Sequence, residues 1–253
     1  MKWKAHISSE YDCYTDIFYK IIEDFDSLGE IIFQERNTLR KIVHPILGTL
    51  AVKSFKKPHF INQIAYANFR KSKAYRSFFH AEILSSKGIN TPKPIGYFEE
   101  FNLSRIEHSF YFSNYFNYDF TFRELIEQKK MFTDWDLIIK DFTQFVFKIH
   151  ENDILFKDLS PGNVLIKKEK KSYIFYLIDL NRMKFQPLSL DQRLQNFIRL
   201  SLTDEMIPII AKEYSYYSNK NYNFIIDQLH KKNSIFIKKK ERKKKIKKFL
   251  GKT

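Results

Sequence analysis

FKDLSPGN, residues 156–163, lies between two apolar runs, DIL before it and VLI after it. The stretch has two readings. In the first it is a turn and nothing more. Ser160-Pro161-Gly162 supplies a type II β-turn, with Pro161 pre-setting φ and Gly162 taking a positive φ, and Asp158 is a turn or cap carboxylate. In the second the same turn is the scaffold of a loop that presents Asp158 and Asn163 for chemistry. The rest of the chain decides between them.

Beyond the VLI run come a charged turn, KKEKKS, and the apolar run YIFYLI, which reads as a buried strand and ends in Asp179. If the two runs pair as a hairpin, Asn163 and Asp179 fall at its same open end. An amide oxygen and a carboxylate there, with Asp158 nearby, suit Mg²⁺, a hard cation that keeps several waters and binds the phosphates of a nucleotide. A basic side chain for those phosphates has to come from elsewhere. Lys53, in LAVKSF, projects from an otherwise apolar strand and is the candidate.

Further toward the N-terminus, IIFQERN, VHPILGTLAVKSF and PIGYFEE read as strands broken by Gly, Pro and Asn. The stretch 62–88 between them reads as helix and stops at Gly88. Its apolar positions Tyr75, Phe78, Phe79 and Ile83 set a stripe that includes Glu82. A carboxylate there needs a cationic partner or a place at the stripe's watery edge; Lys53 is the partner the first option implies. In the second half, residues 133–153 read as an amphipathic helix with Thr133 or Asp134 as N-cap. The segments RLQNFIRLSL and NYNFIIDQLH are two more helical candidates.

A strand Lys, a helix Glu, Asp-x-x-x-x-Asn and an Asp after a strand, in that order, form the layout of protein-kinase-like phosphotransferases. The chain further resembles the lipopolysaccharide kinases of the Kdo/heptose kinase family over about Gly29–Tyr214. The resemblance is carried by ERNTL, LAVKSFKKP, RSFFHAEILSSKGINTPKPIGYFEE, KIHENDILFKDLSPGNVLI and YLIDLNRMKF. It implies an α+β, bilobal protein-kinase-like fold. The N-terminal lobe would be an antiparallel sheet with one main helix (1–116), the C-terminal lobe reduced and mostly helical (117–230), with a basic tail (231–253).

The same resemblance implies ATP and Mg²⁺ as cofactors and a sugar of the lipopolysaccharide inner core as acceptor. It makes Asp158 the base for the acceptor hydroxyl and Asn163 and Asp179 the metal ligands. Lys53 would hold the α/β-phosphates, Glu82 would fix Lys53, and residues 113–116 would meet the adenine. The chain departs from ordinary kinases in having Phe156 two residues before the catalytic Asp and no G-x-G-x-x-G. Arg36 and Asn37 are the residues left to cover the phosphates. Arg182, two residues beyond Leu180, either meets an anionic acceptor or pairs with an acid of the fold. The absence of an Ala-Pro-Glu segment and of a long activation loop argues against a phospho-regulated protein kinase.

Composition narrows the classes. The chain has 253 residues, 43% hydrophobic, with 26 Phe and 15 Tyr, enough for a sizeable core. One cysteine, Cys13, excludes an internal disulfide and a Cys-based zinc site. The seven histidines show no metal-ligand spacing. The N-terminus lacks a signal peptide's apolar core, and no apolar run reaches the ~18 residues of a membrane span, so the expectation is a cytoplasmic protein. The net charge is +15, of which residues 231–252, with twelve Lys or Arg against Glu241, supply +11. That tail reads either as a solvated end or as a basic helix with Ile246, Phe249 and Leu250 on one stripe. The second form suits the anionic inner face of the cytoplasmic membrane; nucleic acid is the less favoured anionic partner. Two alternatives to the lipopolysaccharide kinase remain at this level: a kinase acting on a protein or soluble small molecule, and a pseudokinase that binds membrane or nucleic acid.

Overall fold

The structure is a computed structural model that describes residues 2–57, 71–103, 105–170 and 172–249. The chain divides into two compact units, Met1–Asn117 with Asp179–Asn181, and Tyr118–Ile178 with Arg182–Thr253.

The first unit is built on a six-stranded antiparallel sheet. Its strands are β1 (Lys2–Ile7), β2 (Glu30–Gln34), β3 (Asn37–His44), β4 (Gly48–Phe55), β5 (Pro94–Asn102) and β6 (Arg105–Asn114), in the spatial order β1-β5-β6-β4-β3-β2. The expected single segment 43–55 is in fact the end of β3, a turn at residues 45–47, and β4. β1 and β6 gave no clear apolar pattern in the sequence, because each carries charged residues along one exposed side.

Each face of the sheet carries a helix. α1 (Thr15–Glu23) buries Phe18, Ile21 and Ile22, one stripe at i, i+3, i+4, against Leu50, Val52, Ile95, Phe98, Phe110 and Phe112. The rings of Phe18, Phe98 and Phe112 meet at centroid distances of 5.2–5.8 Å, and each such pair adds about 0.5–1.5 kcal/mol beyond its buried area. α2 (Lys73–Ser86) packs Ala74 and Phe78 with Phe55 and Tyr97. Strand side chains alternate between faces, so Lys53 shares a face with Phe55, two residues on, and with α2. α2 starts at Ser72, whose hydroxyl accepts the Tyr75 N–H at 2.9 Å, and ends at Gly88 with φ +64°, the stop expected there. The expected helix over 62–70 lies outside the described residues. Cys13 is exposed in the short 3₁₀ segment Ser9–Tyr14.

The second unit contains β7 (Phe120–Thr121), α3 (Phe122–Glu127), α4 (Trp135–Glu151), β8 (Ile154–Phe156), β9 (Val164–Glu169), β10 (Ser172–Leu177), β11 (Met183–Phe185), α5 (Leu190–Phe197), α6 (Met206–Ser218) and α7 (Tyr222–Phe249). The strands form a β10-β9-β7 sheet and a β8-β11 pair. α4 buries Trp135, Ile138, Ile139, Phe142, Val146 and Ile149, the apolar face read from the sequence, with Phe142 against Phe122 and Phe175. Asp134 is its N-cap but makes no capping bond. Its carboxylate instead accepts the Tyr173 hydroxyl at 2.9 Å.

α7 buries Ile225, Leu229 and Asn233, and Asn233 donates to Leu202 O at 3.0 Å. From Ile237 to Ile246 every residue is exposed. The basic tail is thus the outer half of a helix, not a loose end. Leu250 and the side chain of Phe249, two of the three residues of its expected apolar stripe, lie outside the described residues. Among the described residues no helix is long and apolar enough to cross a membrane.

Candidate active site

The loop after β8 answers the opening question. Residues Pro161–Asn163 form one turn of 3₁₀ helix, closed by the Asn163 N–H on Ser160 O at 2.9 Å. The type II turn does not form, and Gly162 does not take a positive φ. A Cβ on Gly162 would meet Arg123 Nη2 of α3 at 2.9 Å, but that is the far end of an exposed, flexible side chain that can move aside. Inside the loop, Asn163 Nδ2 donates to Asp158 O at 2.9 Å, which ties the two ends of D-x-x-x-x-N together through the amide nitrogen and not Oδ1.

Behind the loop stands a buried polar chain. His150, fully buried at the end of α4, contacts the Tyr214 hydroxyl through Nδ1 (2.9 Å) and Asn196 Oδ1 through Nε2 (3.2 Å). Asn196 Nδ2 in turn donates to Phe156 O at 2.8 Å. An amide oxygen only accepts, so Nε2 carries the proton and Nδ1 accepts from Tyr214. Burial pushes the His150 pKa down to about 3, so the ring is neutral. Phe156, at the place of the kinase histidine, is itself buried and its carbonyl is held by this chain.

Asp158 lies between two arginines. Arg182 Nη1 and Arg199 Nη2 both bond its Oδ1, at 3.0 and 3.3 Å, which leaves Oδ2 for an incoming group. Arg199 comes from the 3₁₀ turn Ile198–Leu200, and nothing in the local sequence marks it for this role.

β9 and β10 pair as the expected hairpin, with Val164 opposite Leu177, and the Ile178 N–H donates to Asn163 O at 3.1 Å. Asp179 is the next residue in the chain. Within the first unit Asp179 takes φ +60°, a left-handed conformation that Asp and Asn tolerate better than other residues with a Cβ. Its Oδ1 accepts from Lys53 Nζ at 2.7 Å and from Asn181 Nδ2 at 2.6 Å. The Lys53 expected from the sequence is therefore beside the Asp179 expected from it, and both bonds fall on Oδ1 of Asp179.

Glu82 does not hold Lys53. The buried stripe of α2 is Ala74, Ser77, Phe78, Ala81 and Leu84, about 100° around the helix from the stripe expected, and Glu82 faces solvent. The link between α2 and the Asp179 segment runs instead through His80, whose Nδ1 contacts Leu180 O at 2.7 Å.

Asn37 is occupied in the fold, its Oδ1 accepting the Lys56 N–H at 3.2 Å. Arg36, in the exposed turn between β2 and β3, is close enough to act electrostatically on Lys73 of α2. In the segment 113–116, the N–H groups of Asn114 and Tyr115 are bonded to Lys93 O and Thr49 O.

Among the described residues no group of three or more His, Cys, Asp or Glu is placed to hold a metal. An amide oxygen, which Asn163 offers in the second unit, and a carboxylate oxygen, which Asp179 offers in the first, are each of the donor type magnesium takes.

No protein-family model and no curated protein sequence matches the chain. Its fold is similar to the solved structure of WaaP in complex with acyl carrier protein. The TM-score is 0.63 at 13% identity, over 94% of this chain and 98% of that one. At this identity the likeness is one of fold, and the fold is α+β and protein-kinase-like.

Proposed function

We propose that the protein is a kinase-like phosphotransferase that moves the γ-phosphate of ATP to a hydroxyl of a lipopolysaccharide inner-core sugar. The observation that carries this reading is the Lys53–Asp179 pair, 2.7 Å apart, in a kinase-like fold whose loop also supplies Asp158 and Asn163. In the reaction the acceptor oxygen bonds to the γ-phosphorus, the bond from that phosphorus to the β,γ-bridging oxygen breaks, and the hydroxyl proton passes to Asp158 Oδ2. Lys53 binds phosphate oxygens in place of Asp179. Magnesium, held by Asn163 Oδ1 and Asp179 Oδ2, would supply neutralisation of phosphate charge. Positioning does most of the remaining work.

The acceptor preference rests on Arg182 and Arg199. Half-exposed ion pairs are worth about 0–1 kcal/mol, so an acceptor anion can draw either guanidinium from Asp158 at little cost. An acidic sugar or a phosphorylated glycolipid fits such a pair; a neutral sugar does not use it. The basic outer half of α7 suits the anionic cytoplasmic face of the inner membrane, where such an acceptor would be met.

The test is transfer of label from γ-labelled ATP with Mg²⁺ to a panel of Kdo-bearing lipid A, protein and soluble sugar acceptors. Label is expected on the glycolipid and is expected to be lost in Asp158→Ala and Asp179→Asn. Label on a protein or a free sugar alone would replace the acceptor assigned here. ATP binding with no transfer to any acceptor would favour a pseudokinase.

A further inference from the structure

The Lys53–Asp179 pair is not the whole of the charge on its face of the sheet. Lys73, the first residue of α2, brings its ammonium to 5.9 Å from the centre of the Phe55 ring, and Lys53 approaches the same ring to 5.4 Å. Two ammonium groups thus lie within cation–π range of one phenyl.

The surroundings of Lys73 disfavour its charge. Its pKa is lowered, first by burial and then by the positive charges of Lys53, Arg76 and Arg36, with Asp179 acting in the opposite sense. The position adds to this, because the N-terminal end of a helix is its positive end and α2 has no acidic residue in its first turn. With Glu82 turned to solvent, α2 gives Lys53 a cation for a neighbour instead of a carboxylate. Four cations and one carboxylate make a cluster that an anion of several charges would stabilise. The Phe55 ring lies beside both ammonium groups, and Arg36, in the β2–β3 turn, adds positive charge to the surroundings of Lys73.

We propose that Lys73 is a second phosphate-binding residue, which with Lys53 holds the polyphosphate chain of the nucleotide in place of a glycine-rich loop. This rests on the nucleotide reading above. A polyphosphate that engages both lysines also releases Asp179 Oδ1 from Lys53. A chain of phosphates offers oxygens and charge to both lysines, so the pair favours a polyphosphate over a single phosphate.

The experiment is calorimetric titration of the full chain with ATP, AMP and inorganic tripolyphosphate. Wild type is compared with Lys73→Gln, Lys73→Arg and, as the reference for a lost phosphate contact, Lys53→Ala. Melting temperatures without ligand confirm that each variant is folded. Lys73→Gln is expected to weaken ATP and tripolyphosphate about tenfold, the scale of one lost charge-assisted bond, with AMP unchanged and most of the loss recovered by Lys73→Arg. ATP affinity within twofold of wild type in Lys73→Gln, while Lys53→Ala loses it, overturns the assignment and leaves the nucleotide reading in place. Equal weakening of ATP and AMP also overturns it, as an effect on the fold. Failure of wild type to bind ATP or tripolyphosphate overturns both readings together.

Discussion

Asp179 illustrates how much a single backbone angle constrains what can be tested. With φ at +60°, a residue other than Gly, Asn or Asp gives up about 1–2 kcal/mol for the left-handed conformation. Asp179→Asn therefore removes the charge without the strain, and Asp179→Ala confounds the two. The expected result is near-equal loss of transfer in both variants, with the thermal midpoint lower in Ala than in Asn. Asp158 is the simpler case. Asp158→Asn is expected to lower kcat by about 10²–10⁴, the usual weight of general-base catalysis, with ATP affinity unchanged by calorimetry. Arg182→Ala and Arg199→Ala are expected to raise KM for a charged acceptor several-fold more than they lower kcat. As half-exposed substitutions they should leave stability within about 0.5 kcal/mol. Steady-state kinetics with a charged and an uncharged acceptor separate these outcomes.

At the scale of elements, the loop that carries Asp158 depends on α4, α5 and α6, each of which gives one side chain to the buried chain His150, Asn196 and Tyr214. His150 is neutral in the fold, with a pKa near 3, whereas in the unfolded chain it titrates near the ordinary value of 6.5. Between those values the unfolded state binds the extra proton, so stability falls as the pH drops through that window, by up to about 1.4 kcal/mol per pH unit. Urea midpoints measured from pH 7 to pH 5 should therefore decline. His150→Gln, though less stable at pH 7, should show a flatter decline over the same range.

The reach of the sequence is clear at this same scale. Lys53, Asp158, Asn163 and Asp179 were legible because each is a polar interruption in an apolar strand or turn, a local signal. The β9–β10 hairpin and the buried face of α4 followed from periodicity for the same reason. Glu82 misled because a helix whose stripe mixes Ala, Ser and Phe has an ambiguous phase, and one residue moves the face by 100°. Arg199 and Lys73 gave no sign, since each matters only through what the fold brings beside it: Asp158 for one, Phe55 and Lys53 for the other. The turn at Gly162 departs from the type II form because the Asn163 N–H closes one turn of 3₁₀ helix on Ser160 O.

At the scale of the whole molecule, charge is concentrated at one end of the chain. The outer half of α7 places Lys238, Lys239 and Lys240 four residues before Arg242, Lys243 and Lys244. Each such like-charge pair costs a helix about 0.2–0.5 kcal/mol. With every residue from Ile237 to Ile246 exposed and little burial to offset this, the segment's helicity is expected to rise with salt or with an anionic surface. Circular dichroism with vesicles of anionic lipid should show the gain, and neutral vesicles should not. Deleting residues 238–253 is expected to abolish salt-sensitive sedimentation with the anionic vesicles while leaving ATP affinity intact; unchanged sedimentation would remove the tail from the membrane reading.

Cys13, exposed in its 3₁₀ segment and the chain's one cysteine, has a consequence at the bench. Under air two copies of the protein can join through that residue, and through no other. Any covalent dimer is then a single symmetric species, made by oxidation and undone by dithiothreitol. A sizing column run without reductant would report this linkage as assembly. Cys13→Ser removes it, so only a dimer that survives both the substitution and the reductant belongs to the native protein.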